Sequence, residues 1–185
     1  MTFAPMIVTE RLELWLPRAA DLRPLFDIIS QPETMRFLGP SATIEDHFMR
    51  FCRNAGSWQL YGYGMFILRE RGAQGGKSPI IGNCGIFYSI RGIGEDFDDR
   101  AEAAWIIGAG FAGQGYAGEA MRAVLDWFDA ERRAEVMCMI APGNAASLRL
   151  ADRLGFASLH DSRLPDGDEV RLFRRPPPSG CSQSF

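Results

Sequence analysis

The stretch Ala101 to Ala120, AEAAWIIGAGFAGQGYAGEA, constrains the fold of this chain more than any other. A short apolar run, Ala103 to Ile107, reads as a buried strand. A glycine cluster follows at Gly108, Gly110, Gly113 and Gly115. From Ala117 onward, Ala117, Ala120, Met121, Val124, Leu125 and Phe128 recur at helical spacing. The order is strand, glycine turn, helix start. Glycines at such a turn let backbone amides approach a ligand with no Cβ in the way. The first amides of a helix lack an intrahelical partner, and the helix dipole adds partial positive charge there. The combination predicts an anion site, most often for phosphate.

Several readings compete for this stretch. Gly108 to Gly113 fits G-x-G-x-x-G, the dinucleotide fingerprint. That fingerprint wants an acidic residue at the end of the next strand, to hold the ribose. Here the next strand, Val136 to Ile140, runs into Ala141, Pro142 and Gly143. A Walker loop needs G-K-[ST], and the one lysine in the chain, Lys77, lies elsewhere. A glycine-rich turn that binds nothing also accounts for the pattern.

The rest of the composition narrows the class. A length of 185 residues suits one domain with a core of its own, expected over residues 1–175. Pro176 to Pro178 and the Ser/Gly tail to residue 185 are expected to stay out of any sheet and to be disordered. A net charge of −3 carries no electrostatic footprint for nucleic acid. Cys52, Cys84, Cys138 and Cys181 form no C-x-x-C pair, and His47 and His160 fall in unrelated segments, so no metal site is expected. The opening MTFAPMIVTERLEL has neither the charged lead nor the apolar run of a signal peptide, and no run reaches membrane-spanning length. The expected setting is a reducing cytoplasm, away from membranes.

Taken in order, Ile7 to Leu16 alternates, putting Val8, Leu12, Leu14 and Leu16 on one face of a strand. A helix is expected from Asp21, with Leu22, Leu25, Phe26 and Ile29 on its apolar stripe. A second runs from Ile44 to about Gly56, capped by Thr43 with Asp46 at the third position. Gly64 to Arg69 and Ile80 to Ser89 read as a hairpin around the polar loop RGAQGGKSP. The loop Arg91 to Arg100 is acidic at Glu95, Asp96, Asp98 and Asp99, either as a solvated turn or as a recognition loop. The central helix extends to about Arg133, and Val136 to Ile140 follows as an apolar strand. Asn144 can then cap a helix that Gly155 ends. Glu169 to Phe173 closes as a last strand.

Ala112-Gly113-Gln114-Gly115-Tyr116-Ala117-Gly118-Glu119-Ala120 resembles the pyrophosphate loop of the GCN5-related N-acetyltransferase (GNAT) superfamily. It is most similar to the ribosomal-protein N-terminal acetyltransferase (RimJ/RimL-like) branch, whose loop reads W-G-x-G-Y-A-T-E-A. Three further stretches carry the resemblance: Thr9-Glu-Arg-Leu-x-Leu14, Ile81-Gly82-Asn83-Cys84-Gly85, and Asn144-x-x-Ser147 followed by Leu154-Gly155-Phe156. Together they cover roughly Ile7 to Arg174. Departures from the pattern are Trp15 for an arginine, Ala104 for a glycine, Ala109 for a proline, and Ala112 for the aromatic.

The resemblance implies an α/β (α+β) fold: a twisted, mostly antiparallel mixed sheet of about six to seven strands flanked by about four helices. It implies a V-shaped cleft between the strands at 103–107 and 136–140. The implied activity is transfer of an acetyl group from acetyl-CoA to a primary amine, by direct attack in a ternary complex. The amine is a peptide N-terminus or a small molecule, and the protein a monomer or homodimer. A non-catalytic acyl-CoA sensor of the same fold is the alternative. Cofactor contacts carry over to Gly113, Gln114, Gly115, Tyr116, Ala117 and Gly118, to the main chain of Trp105, Ile106 and Ile107, and to Asn144. Many members have a tyrosine seven positions after the asparagine, where this chain has Ala151. In the ribosomal branch the serine takes that role, which points to Ser147 as general acid, against the reading that it only occupies a first helical turn. Glu102 is the candidate general base, against the reading that it only pairs with Arg100. Acceptor choice is expected from Phe37-Leu38, the 91–100 loop and the Asp161 to Asp168 loop.

Overall fold

A computed structural model describes residues 4–38, 43–72 and 78–178. Its strands are β1 Ile7–Val8, β2 Leu12–Trp15, β3 Met65–Glu70, β4 Ile80–Ser89, β5 Arg100–Ile107, β6 Val136–Ile140, β7 Ala157–Arg163 and β8 Glu169–Arg175. Its α-helices are α1 Leu22–Ile29, α2 Pro32–Met35, α3 Ile44–Tyr61, α4 Tyr116–Glu131 and α5 Ala145–Arg153. The strands form one eight-stranded sheet in the order β1-β2-β3-β4-β5-β6-β8-β7. Neighbours are antiparallel except β5 and β6, which run parallel. Lys77, with most of the loop before it, and Cys181, with the tail from residue 179, lie outside the described residues.

Side-chain alternation sorts the core onto two faces. Ala101, Ala103, Cys84, Ile86, Val136 and Cys138 pack with Ala120, Met121, Val124 and Phe128 of α4 and with Leu150 and Ala151 of α5. The opposite face carries two separate apolar clusters. One joins Trp15, Ile67 and Ile80 to Leu25 of α1 and Phe51 of α3. The other joins Met137, Val170 and Leu172 to Phe97 of the 91–100 loop. Burial of these side chains, about 1.5–3 kcal/mol for each Val, Leu, Ile, Phe or Met and less for each Ala, is the main favourable term holding both layers to the sheet.

Several boundaries differ from the sequence expectation. Ile7 to Leu16 is a tight hairpin rather than one strand: the Thr9 backbone N–H donates to the Leu12 carbonyl at 2.9 Å. Leu12 and Leu14 are fully buried, whereas Val8 is 50% exposed and Leu16 37%, so the four do not share a face. The alternation ran across a turn that it could not register. α3 passes through Gly56 and stops at Gly62, whose φ of 73° suits the left-handed C-cap. Its Thr43–Asp46 capping box forms as expected. β7, whose last residues fall in the expected Asp161 to Asp168 loop, is an edge strand of polar sequence, ASLHDSR, with a register shift between Ser158 and Asp161. Edge strands bury little, so no apolar alternation marks them. The split first strand and β7 raise the sheet to eight strands, and the short α2 raises the α-helices to five.

Two glycines of the Ile81–Gly85 match have steric causes. A Cβ at Gly82 would stand 2.1 Å from the Ile106 carbonyl oxygen, and one at Gly85 2.3 Å from that of Gly64. β4 is thereby pressed against both neighbours, which holds β5 in register beside the site.

Candidate active site in the wedge between β5 and β6

Ala101 pairs with Val136 and Glu102 with Met137; no residue from Ala103 to Ile107 pairs with β6. β5 stays paired to β4 through Ile107. A wedge therefore opens between two parallel strands, with Glu102 at its vertex and the glycine turn and the start of α5 at its mouth. This is the splay that the resemblance implied. It leaves the β6-facing main-chain groups of Trp105, Ile106 and Ile107 without a strand partner.

At the mouth, Gly113 and Gly115 take φ of 78° and 84°. Gly115 is the N-cap of the 16-residue α4, and side chains other than glycine rarely adopt its conformation. A Cβ at Gly113 would meet nothing within 4 Å, so the turn faces open space. Among the described residues, the amides of Gly113, Gln114 and Gly115 donate to no acceptor. Tyr116, Ala117 and Gly118 supply the first helical amides, and α4 adds its dipole. This donor set suits a pyrophosphate.

The turn is braced by residues that motif reading passed over. Glu119 Oε1 accepts from Thr9 Oγ1 at 2.6 Å and from the Arg11 backbone at 2.8 Å, and its Oε2 from Arg11 Nε at 2.7 Å. Arg11 Nη1 also donates to the Gln114 carbonyl at 2.9 Å. Burial pushes the Glu119 carboxyl up, but these donors outweigh it and hold it below the usual range. Thr9 and Arg11 sit in the opening Thr9–Leu14 match, which was the available signal.

Ser147 and Trp105 meet across the wedge, where Trp105 Nε1 donates to Ser147 Oγ at 3.2 Å. Asn144 caps α5, its Oδ1 accepting from the Ser147 amide at 3.1 Å. Glu102 lies three residues from Trp105 and so projects to the opposite sheet face. It is 2% exposed and cross-strand from Phe87. Arg91 grips it bidentately, Nε to Oε2 at 2.8 Å and Nη2 to Oε1 at 2.7 Å. Arg100, the partner weighed from sequence, pairs instead with Glu135 at 3.1 Å. The candidate base and acid thus approach the wedge from opposite faces.

The expected specificity segments separate. Thr34 Oγ1 accepts from the Ala109 amide at 3.0 Å, and the Phe37 ring lies 3.5 Å from where a Cβ on Gly143 would stand. The segment after α1 therefore touches both sides of the wedge mouth. In the acidic loop, Asp98 accepts from the backbone amides of Arg91, Gly92, Ile93 and Gly94, so that acid folds its own loop. Asp161 is paired with Arg171 at 2.6 Å on the sheet edge. Asn83, on the Glu102 face, is buried with its Oδ1 lacking a donor among the described residues.

The protein-family model for the acetyltransferase (GNAT) domain matches residues 11–157. A Bordetella pertussis protein of the GnaT acetyltransferase family is 32% identical, with a TM-score of 0.79 over 91% of this chain and 98% of that one. The uncharacterized protein YkkB of Bacillus subtilis is 27% identical over 153 residues, 80% of this chain and 83% of YkkB. The microcin C7 self-immunity acetyltransferase MccE, solved with acetyl-CoA and AMP, shares the fold at 15% identity and a TM-score of 0.70, over 95% of this chain and 98% of that one. With the family model spanning most of the chain and the splayed strands in place, the protein belongs to the GNAT acetyltransferase family.

Proposed function

We propose that the protein transfers the acetyl group of acetyl-CoA to a primary amine, an α-amine of a peptide or a small-molecule amine, by direct attack within a ternary complex. The carrying observation is the wedge that starts at Glu102 and ends at the unpartnered amides of Gly113 to Gly115. When bound, acetyl-CoA supplies an activated thioester whose thiolate leaves readily, a thiol having a pKa of about 8.5. The amides of Gly113 through Gly118 hold the diphosphate, and the free main-chain edge of Trp105 to Ile107, with the Asn144 carboxamide, holds the arm. Glu102 takes a proton from the bound ammonium, directly or through a water, after Arg91 loosens its grip, and the neutral amine attacks the thioester carbonyl. Ser147 offers its hydroxyl hydrogen to the leaving sulfur, since its oxygen already accepts from Trp105. The N-x-x-S pattern and the G-x-G-Y-A loop support a place near the ribosomal-protein N-terminal acetyltransferase branch. The free thiols of Cys52, Cys84 and Cys138 suit a reducing cytoplasm.

Thiol release from acetyl-CoA, followed across a panel of amines and N-terminal peptides, tests this reading. Release that rises with one class of acceptor supports it. Tight acetyl-CoA binding with no release for any acceptor would replace it with a sensor role. A melting temperature raised by NAD and not by CoA would overturn the cofactor assignment altogether.

A further inference from the structure

The face that carries Glu102 has a charged corner between two apolar clusters. On one side α3 packs over β3 and β4 through Phe51, and on the other Phe97 packs over Met137. Between these clusters lie Phe87 of β4 and Glu102 of β5, directly paired across the strands. Two guanidiniums close on the Phe87 ring: Arg53 of α3 at 5.4 Å from its centroid and Arg91 at 5.6 Å. Arg91 is neutralised by Glu102 at 2.7 Å. Asp98, the other acid of this corner, gives its oxygens to four backbone amides. Among the described residues Arg53 has no hydrogen-bonded or ion-paired carboxylate, although it stands beside the vertex of the wedge.

An arginine held against an aromatic ring is pre-oriented, so less entropy is lost when its planar fork meets an anion. Carboxylate and phosphate match that fork bidentately. Arg53 is solvent-accessible and keeps its charge at any working pH, so its fork is available to an anion even though Glu102 also acts on it electrostatically.

We propose, resting on the acetyl-transfer reading above, that Arg53 is a specificity residue that binds an oxyanion of the acceptor. The acceptor is then an amine that also carries a carboxylate or phosphate near its nitrogen, with Glu102 facing the amine and Arg53 the oxyanion.

Three matched pairs test this: ethanolamine against O-phosphoethanolamine, tyramine against tyrosine, and the dipeptide amides Ala-Asn against Ala-Asp. In the wild-type protein kcat/KM for the anionic member should be higher by about tenfold or more in at least one pair, the scale of one charge-assisted hydrogen bond. R53Q should bring that ratio close to one, and R53K should restore part of it. Added salt should raise KM for the anionic member only. Equal use of both members of every pair, or a preference unchanged in R53Q, overturns the proposal while leaving acetyl transfer standing. Thiol release with other amines of the panel but with no member of any pair overturns this proposal alone, and release with no amine at all, from protein that binds acetyl-CoA, overturns the acetyl-transfer reading with it.

Discussion

Trp105 Nε1 donates to Ser147 Oγ at 3.2 Å, tying β5 to the first turn of α5 across the open end of the wedge. Among the described residues the indole hydrogen has this one acceptor, and the serine hydroxyl donates to none. Ser147→Ala should therefore reduce kcat by about tenfold to a hundredfold, because a thiolate asks little of a general acid. Acetyl-CoA affinity by calorimetry should stay nearly unchanged. Trp105→Phe should lower kcat less, and add nothing in the Ser147→Ala background, since paired residues fail additivity. Loss of affinity with kcat retained would make Ser147 a binding residue.

Gly115 separates holding from chemistry. At φ 84° a valine is strained, whereas its Cβ would only touch Arg11 Nη2, at 3.4 Å. Gly115→Val should weaken acetyl-CoA binding by about tenfold to a hundredfold, from strain of 1–3 kcal/mol at the cradle. Gly110→Ala is the matched control, because a Cβ there meets nothing within 4 Å. Equal affinities in a calorimetric titration of the two variants would locate the phosphate site elsewhere.

Glu102 and Arg91 form a largely buried pair, with side chains 3% and 24% exposed. Removing one partner leaves the other uncompensated, so Glu102→Gln and Arg91→Gln should each cost about 3 kcal/mol of stability in denaturant unfolding. The double variant should cost less than their sum. If Glu102 also takes the amine proton, Glu102→Gln should lose more kcat/KM than Arg91→Gln, and lose it mainly at low pH. Equal kinetic losses with superimposable pH profiles would reduce the residue to a structural partner.

His47 on α3 is 3% exposed, and its Nε2 meets the Leu22 carbonyl at 3.0 Å, so the neutral ring carries its hydrogen there. Burial lowers its pKa, opposed by that carbonyl and aided by Arg50. The unfolded chain then binds the proton more tightly than the folded one. Stability is complete above the unfolded value of about 6.5 and declines as pH falls from there toward the folded value. The slope is at most about 1.4 kcal/mol per pH unit, one proton's worth. His47→Gln keeps a donor for Leu22 and should flatten the fall in melting temperature between about pH 7 and pH 5.5. An identical fall in wild type and variant would assign the dependence to other groups.

Local features were legible in the sequence because local chemistry makes them. The glycine turn between β5 and α4 is written as glycines where left-handed backbone and close approach are needed. The Thr43–Asp46 box and the Asn144 cap are side chains bonding amides three residues away. β6 was readable over Val136 to Ile140 because it is apolar throughout. What crossed the chain was not legible. The turn inside Ile7 to Leu16 hid behind an alternation that continued through it, and β7 hid in the polar sequence of a sheet edge. The wedge itself depends on where pairing between β5 and β6 ends, a register that neither strand's composition encodes; only the resemblance pointed to it. Arg91, not the adjacent Arg100, reaches Glu102 because the 91–100 loop folds back on Asp98 and Phe97. Arg53 reaches the same corner because α3 docks on β4. Those meetings are long-range packing outcomes, decided by which apolar faces must be covered, and they set the charge at the site.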